Sequence, residues 1–136
     1  MRRLTRAAAV AAYVAAIAVG LTTVSTATRA AVTEANFRLD TFEDLVALCG
    51  VQPGDPMADG AIHMCHGYMV GLHHFHVLMG QALEGDLFCM EGAAPPTRNE
   101  FVAMMVDWSR SHPEQYSKEA IDGVLGWAAD AYPCSE

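Results

Sequence analysis

Five of the six histidines in this chain lie within fourteen positions, in the stretch HMCHGYMVGLHHFH at residues 63–76, which also contains Cys65. Histidine and cysteine are common ligands of transition metals, and a cysteine beside a histidine is also the arrangement of a nucleophile with its base. Which of these chemistries is available depends on how far apart the side chains lie in space. Their distances can be derived from the sequence only when the secondary structure of the stretch is known.

The metal-site hypothesis depends on which histidines share a helix face. On a helix, two histidines bind one ion when they are three or four residues apart, as His63 and His66 are, and His73 and His76. His66 and His73 are about 10 Å apart along the axis, too far to share an ion. The stretch therefore offers two half-sites that each need ligands from elsewhere, and a solvated polar stripe is the simpler interpretation.

The nucleophile hypothesis requires a free thiol at Cys65. The chain has 4 cysteines, Cys49, Cys65, Cys89 and Cys134, without a Cys-x-x-Cys pair. An even number in a small exported domain is typical of two disulfides. Neither a Gly-x-Ser-x-Gly turn nor a glycine-rich phosphate loop occurs. The sequence therefore predicts a protein that is not an enzyme and that uses no cofactor.

The N-terminus has the order of regions found in a secretory signal peptide. A cationic start, MRRLTR, precedes an alanine-rich apolar run to about Val24, and small residues follow, with cleavage sites after Ala27 or Ala30. The run is rich in alanine and threonine rather than leucine, which favours removal over retention as an anchor. We expect residues 1–30 to be a cleaved signal peptide and residues 31–136 to form one domain that is not attached to a membrane.

Removal of that segment makes the protein strongly acidic. With cleavage after Ala30, four of the 8 basic residues and all 16 acidic residues remain, which leaves a formal charge of −12 over 106 residues. Nucleic acid and anionic membranes repel such a chain, so neither is expected as a partner, and a basic protein is favoured instead.

Periodicity predicts an all-α domain, a small four-helix bundle stabilised by two disulfides. The predicted helices cover about residues 41–49, 58–82, 98–111 and 113–131. Asp40 followed by Glu43 forms a capping box for the first helix, and Thr97 followed by Glu100 forms one for the third. Pro113 suits the first turn of the fourth helix.

On the second helix, the histidines and the apolar residues occupy different faces at 100° per residue. The apolar face consists of Met64, Cys65, Tyr68, Met69, Leu72, Phe75 and Met79. The polar face consists of His63, His66, His73 and His74. His76 lies at the edge of the apolar face, and Gly67 and Gly71 form a smooth strip between the two. That strip predicts a place where another helix approaches closely.

The topology also predicts how the cysteines pair. If the helices alternate in direction, Cys49 lies where the second helix begins, and Cys65 lies about 10 Å along that helix. Cys89 follows the second helix at the opposite end of the bundle, where the fourth helix also finishes beside Cys134. Because disulfide partners need α-carbons within about 7 Å, the expected bridges are Cys49–Cys65 and Cys89–Cys134.

Five short motifs occur in order along the predicted domain. They are LVALC at 45–49, CHGYMVG at 65–71, FC at 88–89, HPE at 112–114 and AADAYPC at 128–134. In this order, and with all four cysteines used, they resemble the Rap/Tai-type immunity proteins of type VI secretion systems. In that family the motif residues are mainly scaffold, which here are Gly67, Tyr68, Gly71, Phe88, His112, Pro113 and Pro133. The stretch His73-His74-Phe75-His76 departs from the family pattern.

The resemblance implies a small helical protein of the periplasm that binds a secreted cell-wall amidase toxin and blocks its active site, so that the producing cell survives. It also implies a homodimer, and it carries over no toxin-contacting residue, because that surface varies in the family. Two other functions fit the same residues. One is a periplasmic metal-binding or metal-buffering protein that uses the His63–His76 helix, and the other is a small acid-responsive periplasmic chaperone.

Overall fold

A computed structural model describes residues 30–134 except 84 and 91–94, and every regular element in that part is helical. The α-helices are α1 Phe42–Cys49, α2 Ala58–Leu83, α3 Arg98–Ser109 and α4 Ala120–Ala131, with 3₁₀ helices at Glu34–Arg38 and Pro113–Gln115. The all-α class is confirmed, and the first three helices agree with their predicted bounds to within two residues.

The predicted signal peptide falls almost wholly on residues 1–29, outside the described part. Within that part, no helix combines the length and the apolar character that a membrane span requires.

Helix α1 is the shortest α-helix, and it lies at the centre of the fold in contact with the other three. Its apolar side chains Phe42, Leu45, Val46 and Leu48 are all buried, at most 3% exposed. The same core continues through Met105, Val124 and Trp127. Because a helix of two turns is not stable alone in water, α1 depends on this burial for its existence.

The N-cap of α1 is Thr41 rather than Asp40, so the predicted capping box is displaced by one residue. The Thr41 hydroxyl accepts from the Asp44 N–H, and the Asp44 carboxylate accepts from the Thr41 N–H at 2.9 Å. The amide of Asn36 donates to the other oxygen of Asp44 at 3.0 Å. Burial alone would raise the pKa of Asp44, but these hydrogen bonds outweigh it and hold the pKa below its ordinary value. Asp44 replaces Glu43 in the box because it lies three residues after Thr41, the residue that is the N-cap.

Helix α4 begins seven residues after its predicted start at Pro113. Pro113 instead opens the second 3₁₀ helix, and the turn that follows supplies carbonyl groups to the N-terminus of α1. The Lys118 carbonyl accepts from the Phe42 N–H at 2.8 Å, and the Tyr116 carbonyl accepts from the Glu43 N–H at 3.1 Å. A continuous helix from Pro113 would use these carbonyls in its own ladder. The tertiary contact with α1 therefore overrides the local helical pattern.

A side chain lies directly on the helix backbone at Gly123 of α4, and nothing comes as close at Gly67 and Gly71 of α2. A β-carbon at Gly123 would overlap the Phe42 side chain, so the ring lies directly on the backbone of α4. Gly67 and Gly71 are exposed, and beyond their own helix no described atom lies within 4 Å of the position that a β-carbon would take. The predicted helix contact at these two glycines is wrong, because the buried side of α2 is turned away from them.

Both expected disulfides are present. Cys49–Cys65 joins the end of α1 to α2 with α-carbons 5.1 Å apart, and both residues are buried. Cys89–Cys134 joins the loop after α2 to the segment after α4, with α-carbons 4.8 Å apart. A hydrogen bond from the Cys89 N–H to the Tyr132 carbonyl, at 2.8 Å, supports the same junction. Since none of the cysteines is free, Cys65 cannot serve as a nucleophile in this state.

Candidate interaction surface on helix α2

The five clustered histidines occupy different environments around α2. His63, His73 and His74 are exposed, and the rings of His73 and His74 lie side by side with centroids 6.0 Å apart. His66 is half-buried, and its Nε2 is enclosed with no hydrogen-bond partner among the described residues. His76 is also half-buried. The histidines therefore do not form a single polar face.

Neither histidine half-site gains further ligands from the rest of the fold. In each of the spaced pairs, His63 with His66 and His73 with His76, one ring is exposed and the other packs against the protein. No group of three His, Cys, Asp or Glu side chains in the described ranges is arranged to hold a metal ion. Metal buffering has no supporting observation in that part of the molecule.

His76 packs against the loop that follows α2. Its side chain is 13% exposed, and its ring stacks on Phe88 with centroids 4.0 Å apart and planes at 18°. Phe88 is itself buried and lies 6.5 Å, ring to ring, from Tyr132 at the end of α4. The His76 Nε2 is 4.0 Å from a carboxylate oxygen of Asp86. This histidine therefore fastens the C-terminal half of α2 to the loop that carries Cys89.

We expect His76→Ala to lower the free energy of unfolding by about 1–2 kcal/mol, since it removes a stacked ring and uncovers Phe88. The matched control is the double variant His73→Ala with His74→Ala, which changes neighbouring exposed positions and should stay within about 0.5 kcal/mol of wild type. Urea unfolding followed by circular dichroism measures all three proteins. Equal stability of the His76 variant and the control would contradict the packing role.

One apolar side of α2 is mostly open to solvent, and its six residues, of which Tyr68 is half-buried against the core, are called the α2 seam. They are Met64, Tyr68, Gly71, Phe75, Leu78 and Ala82, spaced alternately by four and three residues. Met64, Phe75 and Leu78 are 38%, 42% and 62% exposed, respectively. The buried side lies about a quarter turn away, along Ala61, Cys65, Met69 and Leu72. The seam spacing is visible in the sequence, but a helical wheel alone assigns the whole apolar face to the core.

The α2 seam belongs to a segment without formal charge at neutral pH. Residues 60–83 contain no Asp, Glu, Lys or Arg, although the chain has 16 acidic residues. At the edge of the seam, burial raises the pKa of the Tyr68 hydroxyl, and the nearby Asp122 carboxylate raises it further. An uncharged apolar strip bordered by polar residues is typical of a protein–protein contact surface.

Two clefts adjoin α2 and α3, and neither assembles a catalytic group from the described residues. The first, of about 380 Å³, is mostly apolar, and its ionisable side chains are His73, His74 and Arg98. The second, of about 620 Å³, contains His66, Asp107 and Arg110. Arg110 donates to Asp107 at 2.8 Å, which occupies that carboxylate. No nucleophile lies beside a base in either cleft.

The remaining motif positions have structural contacts. The ring of His112 stacks on Trp108 with centroids 3.9 Å apart, and its Nδ1–H donates to the Trp108 carbonyl at 2.9 Å. The stacking and the hydrogen bond hold the chain at the C-terminal end of α3, just before Pro113 begins the second 3₁₀ helix. Phe88 is part of the core, and Pro133 follows the last turn of α4. These contacts position elements and leave the side chains of α2 as the main candidate for recognition.

A family model described as Rap1a immunity proteins matches residues 41–134. The match begins at the N-cap of α1 and ends at Cys134, so it spans all four α-helices and both disulfides. No curated protein and no solved structure matches the chain.

Proposed function

The chain belongs to the Rap1a immunity protein family, and on that premise we propose that it binds and blocks a cell-wall amidase toxin delivered by a type VI secretion system. The observation that carries the proposal is the family match, which covers the described domain from its first α-helix to its last cysteine. Family membership implies a toxin as the binding partner. The order of the sequence motifs, which resembles the Rap/Tai-type inhibitors, supports an amidase as that toxin.

The compartment in which toxin and inhibitor meet is proposed to be the periplasm. Two disulfides support an oxidising environment, and the order of regions in residues 1–30 supports export and cleavage. The remaining domain, residues 31–136, carries −12 formal charges and is suited to steering a basic toxin toward it.

Inhibition by binding alone is the mechanism that the described residues support best. All cysteines are paired, and the clefts beside α2 and α3 hold no nucleophile with a base. A folded domain fastened by two disulfides loses little conformational entropy when it covers an enzyme's active site, which favours tight binding. Metal buffering and an acid-responsive chaperone function are set aside, because the family match supports neither.

Protection is expected to require export of the inhibitor. Cells that export the cognate amidase to the periplasm should survive when they also produce the full chain, and they should lyse when residues 1–30 are deleted. The matched control joins residues 31–136 to an unrelated signal peptide, which should restore survival. Colony counts after toxin induction measure the effect. Survival with the leaderless protein would contradict the compartment, and lysis with both exported versions would contradict the choice of toxin.

A further inference from the structure

We propose that the first cleft beside α2 and α3, whose ionisable side chains are His73, His74 and Arg98, binds a small apolar carboxylate such as a medium-chain fatty acid. Its volume of about 380 Å³ lies in the range of small-molecule sites in proteins, and its lining is mostly apolar. A ligand that joins an apolar body to one carboxylate matches both parts of this lining. The inference goes beyond the proposed immunity function and does not depend on it.

The apolar part of the cleft is formed before any ligand binds. Met69 and Phe88 line it and belong to the core, at 5% and 3% exposed. The ring of Phe88 stacks on His76, and the ring of Phe101, on α3, meets Trp127 edge-on with centroids 4.5 Å apart. Since these contacts hold both rings in place, a ligand that packs against them loses little free energy to the ordering of protein side chains.

The charge along the cleft selects an anion. The domain that remains after the expected cleavage carries −12, yet none of the described residues that line this cleft is Asp or Glu. Arg98 supplies a formal positive charge, and its guanidinium has no ion-pair or hydrogen-bond partner among the described residues, whereas Arg110 pairs with Asp107. An unpaired guanidinium can donate two parallel hydrogen bonds to a carboxylate. The exposed imidazoles of His73 and His74, which also line the cleft, are further N–H donors.

The start of α3 adds to the same attraction. Pro96 and Arg98 line the cleft, so it lies beside the N-terminus of this helix, where the partial positive charge of the backbone favours an anion. The carboxylate of Glu100 in the same turn accepts hydrogen bonds from the N–H and the hydroxyl of Thr97, and it does not line the cleft. Glu100 therefore acts on a bound anion from outside the cleft, whereas Arg98 acts within it.

Isothermal titration calorimetry on the mature protein, purified from the periplasm, tests both halves of the ligand. Among straight-chain carboxylates from butanoate to octanoate, each added methylene should raise the affinity about threefold to fourfold. Octan-1-ol, which has the apolar body of octanoate without its charge, should bind more weakly by at least about tenfold. Undetectable binding of octanoate, an affinity that does not change with chain length, or equal affinity for the alcohol would each overturn the inference.

A variant at Arg98 tests the recognition of the carboxylate. Arg98→Gln should lower the affinity for octanoate by at least about tenfold and leave the affinity for octan-1-ol unchanged, because the amide keeps a polar group and loses the charge. Arg98 is exposed, so the variant should unfold at the same temperature as the wild type. The matched control is Arg110→Gln, at an exposed arginine just after the other end of α3, which should bind octanoate as the wild type does.

The two arginine variants also separate local recognition from general attraction. An equal loss in both would show that net charge alone attracts the carboxylate, and an unchanged affinity in Arg98→Gln would place the ligand elsewhere. Either result would overturn the inference. Because the titration involves no toxin, its failure leaves the proposed immunity function unaffected.

Discussion

Phe42→Ala is expected to lower the free energy of unfolding by about 3–5 kcal/mol, because it removes a fully buried ring from the centre of the core. The ring meets Trp108 edge-on, with centroids 6.3 Å apart, lies 6.4 Å from the ring of Tyr116, and covers Gly123. A domain of this size has a total stability of about 5–15 kcal/mol, so the loss is a large fraction of it. Urea unfolding of the mature protein measures the change, and a loss below about 1 kcal/mol would contradict the central position of α1.

Gly123→Ala examines the same contact from α4. Its added β-carbon overlaps the Phe42 side chain, so we expect a loss of about 1–3 kcal/mol in the wild-type background. In the Phe42→Ala background the overlapping ring atoms are absent and only the β-carbon of residue 42 stays close, so the loss from Gly123→Ala should be smaller. Gly126→Ala, at an exposed position three residues further on, should gain up to about 1 kcal/mol from helix propensity in both backgrounds. Additive effects of the changes at residues 42 and 123 would contradict their contact.

The two disulfides are expected to stabilise the fold by similar amounts through different routes. Chain entropy alone assigns about 3 kcal/mol to the bridge with a sequence separation of 16 and about 4 kcal/mol to the bridge with a separation of 45. Cys49 and Cys65 also belong to the core, whereas Cys134 is exposed. Replacing both core cysteines with alanine should therefore cost at least as much as replacing Cys89 and Cys134, despite the shorter loop.

Accessibility to a reductant should separate the two bridges. Without denaturant, Cys89–Cys134 should open first, because Cys134 is exposed and Cys65 is fully buried. Alkylation of the free thiols followed by mass-spectrometric mapping measures the order, and complete reduction in urea provides the control. Opening of Cys49–Cys65 first, or of both bridges together, would contradict the difference in burial.

The elements that local chemistry determines could be predicted from the sequence. The capping box at Thr97 and Glu100 places the start of α3 at the correct residue, because both partners lie within one turn. The start of α4 could not be predicted in this way. The segment after Pro113 has a helical pattern, but its carbonyl groups bond to the N-terminus of α1, more than seventy residues earlier. A periodic pattern contains no information about such a distant competitor.

Helix α2 and the glycines of α4 also show that a sequence pattern does not reveal contacts with distant elements. Periodicity correctly predicts that one side of α2 is apolar, but it does not indicate how much of that side another element covers. Met64 and Phe75 belong to the predicted apolar face and yet are exposed. Gly123 and Gly126 look alike in the sequence, and only the position of Phe42 distinguishes them. The disulfide pairing was predictable because chain direction and bond length together leave few pairs within reach.

The hydrogen bonds from the N–H groups of Phe42 and Glu43 to the carbonyl groups of Lys118 and Tyr116 also determine how late the domain can finish folding. Ribosomes make the chain from its N-terminus, so α1 is synthesised long before its backbone partners exist. After the proposed export, Cys49 and Cys65, only 16 positions apart, are able to close their loop in the oxidising compartment before the later residues have arrived there. The central helix reaches its final state only when the last quarter of the chain arrives. A protein truncated before Tyr116 would retain the sequence of α1 and lose the means to hold it as a helix.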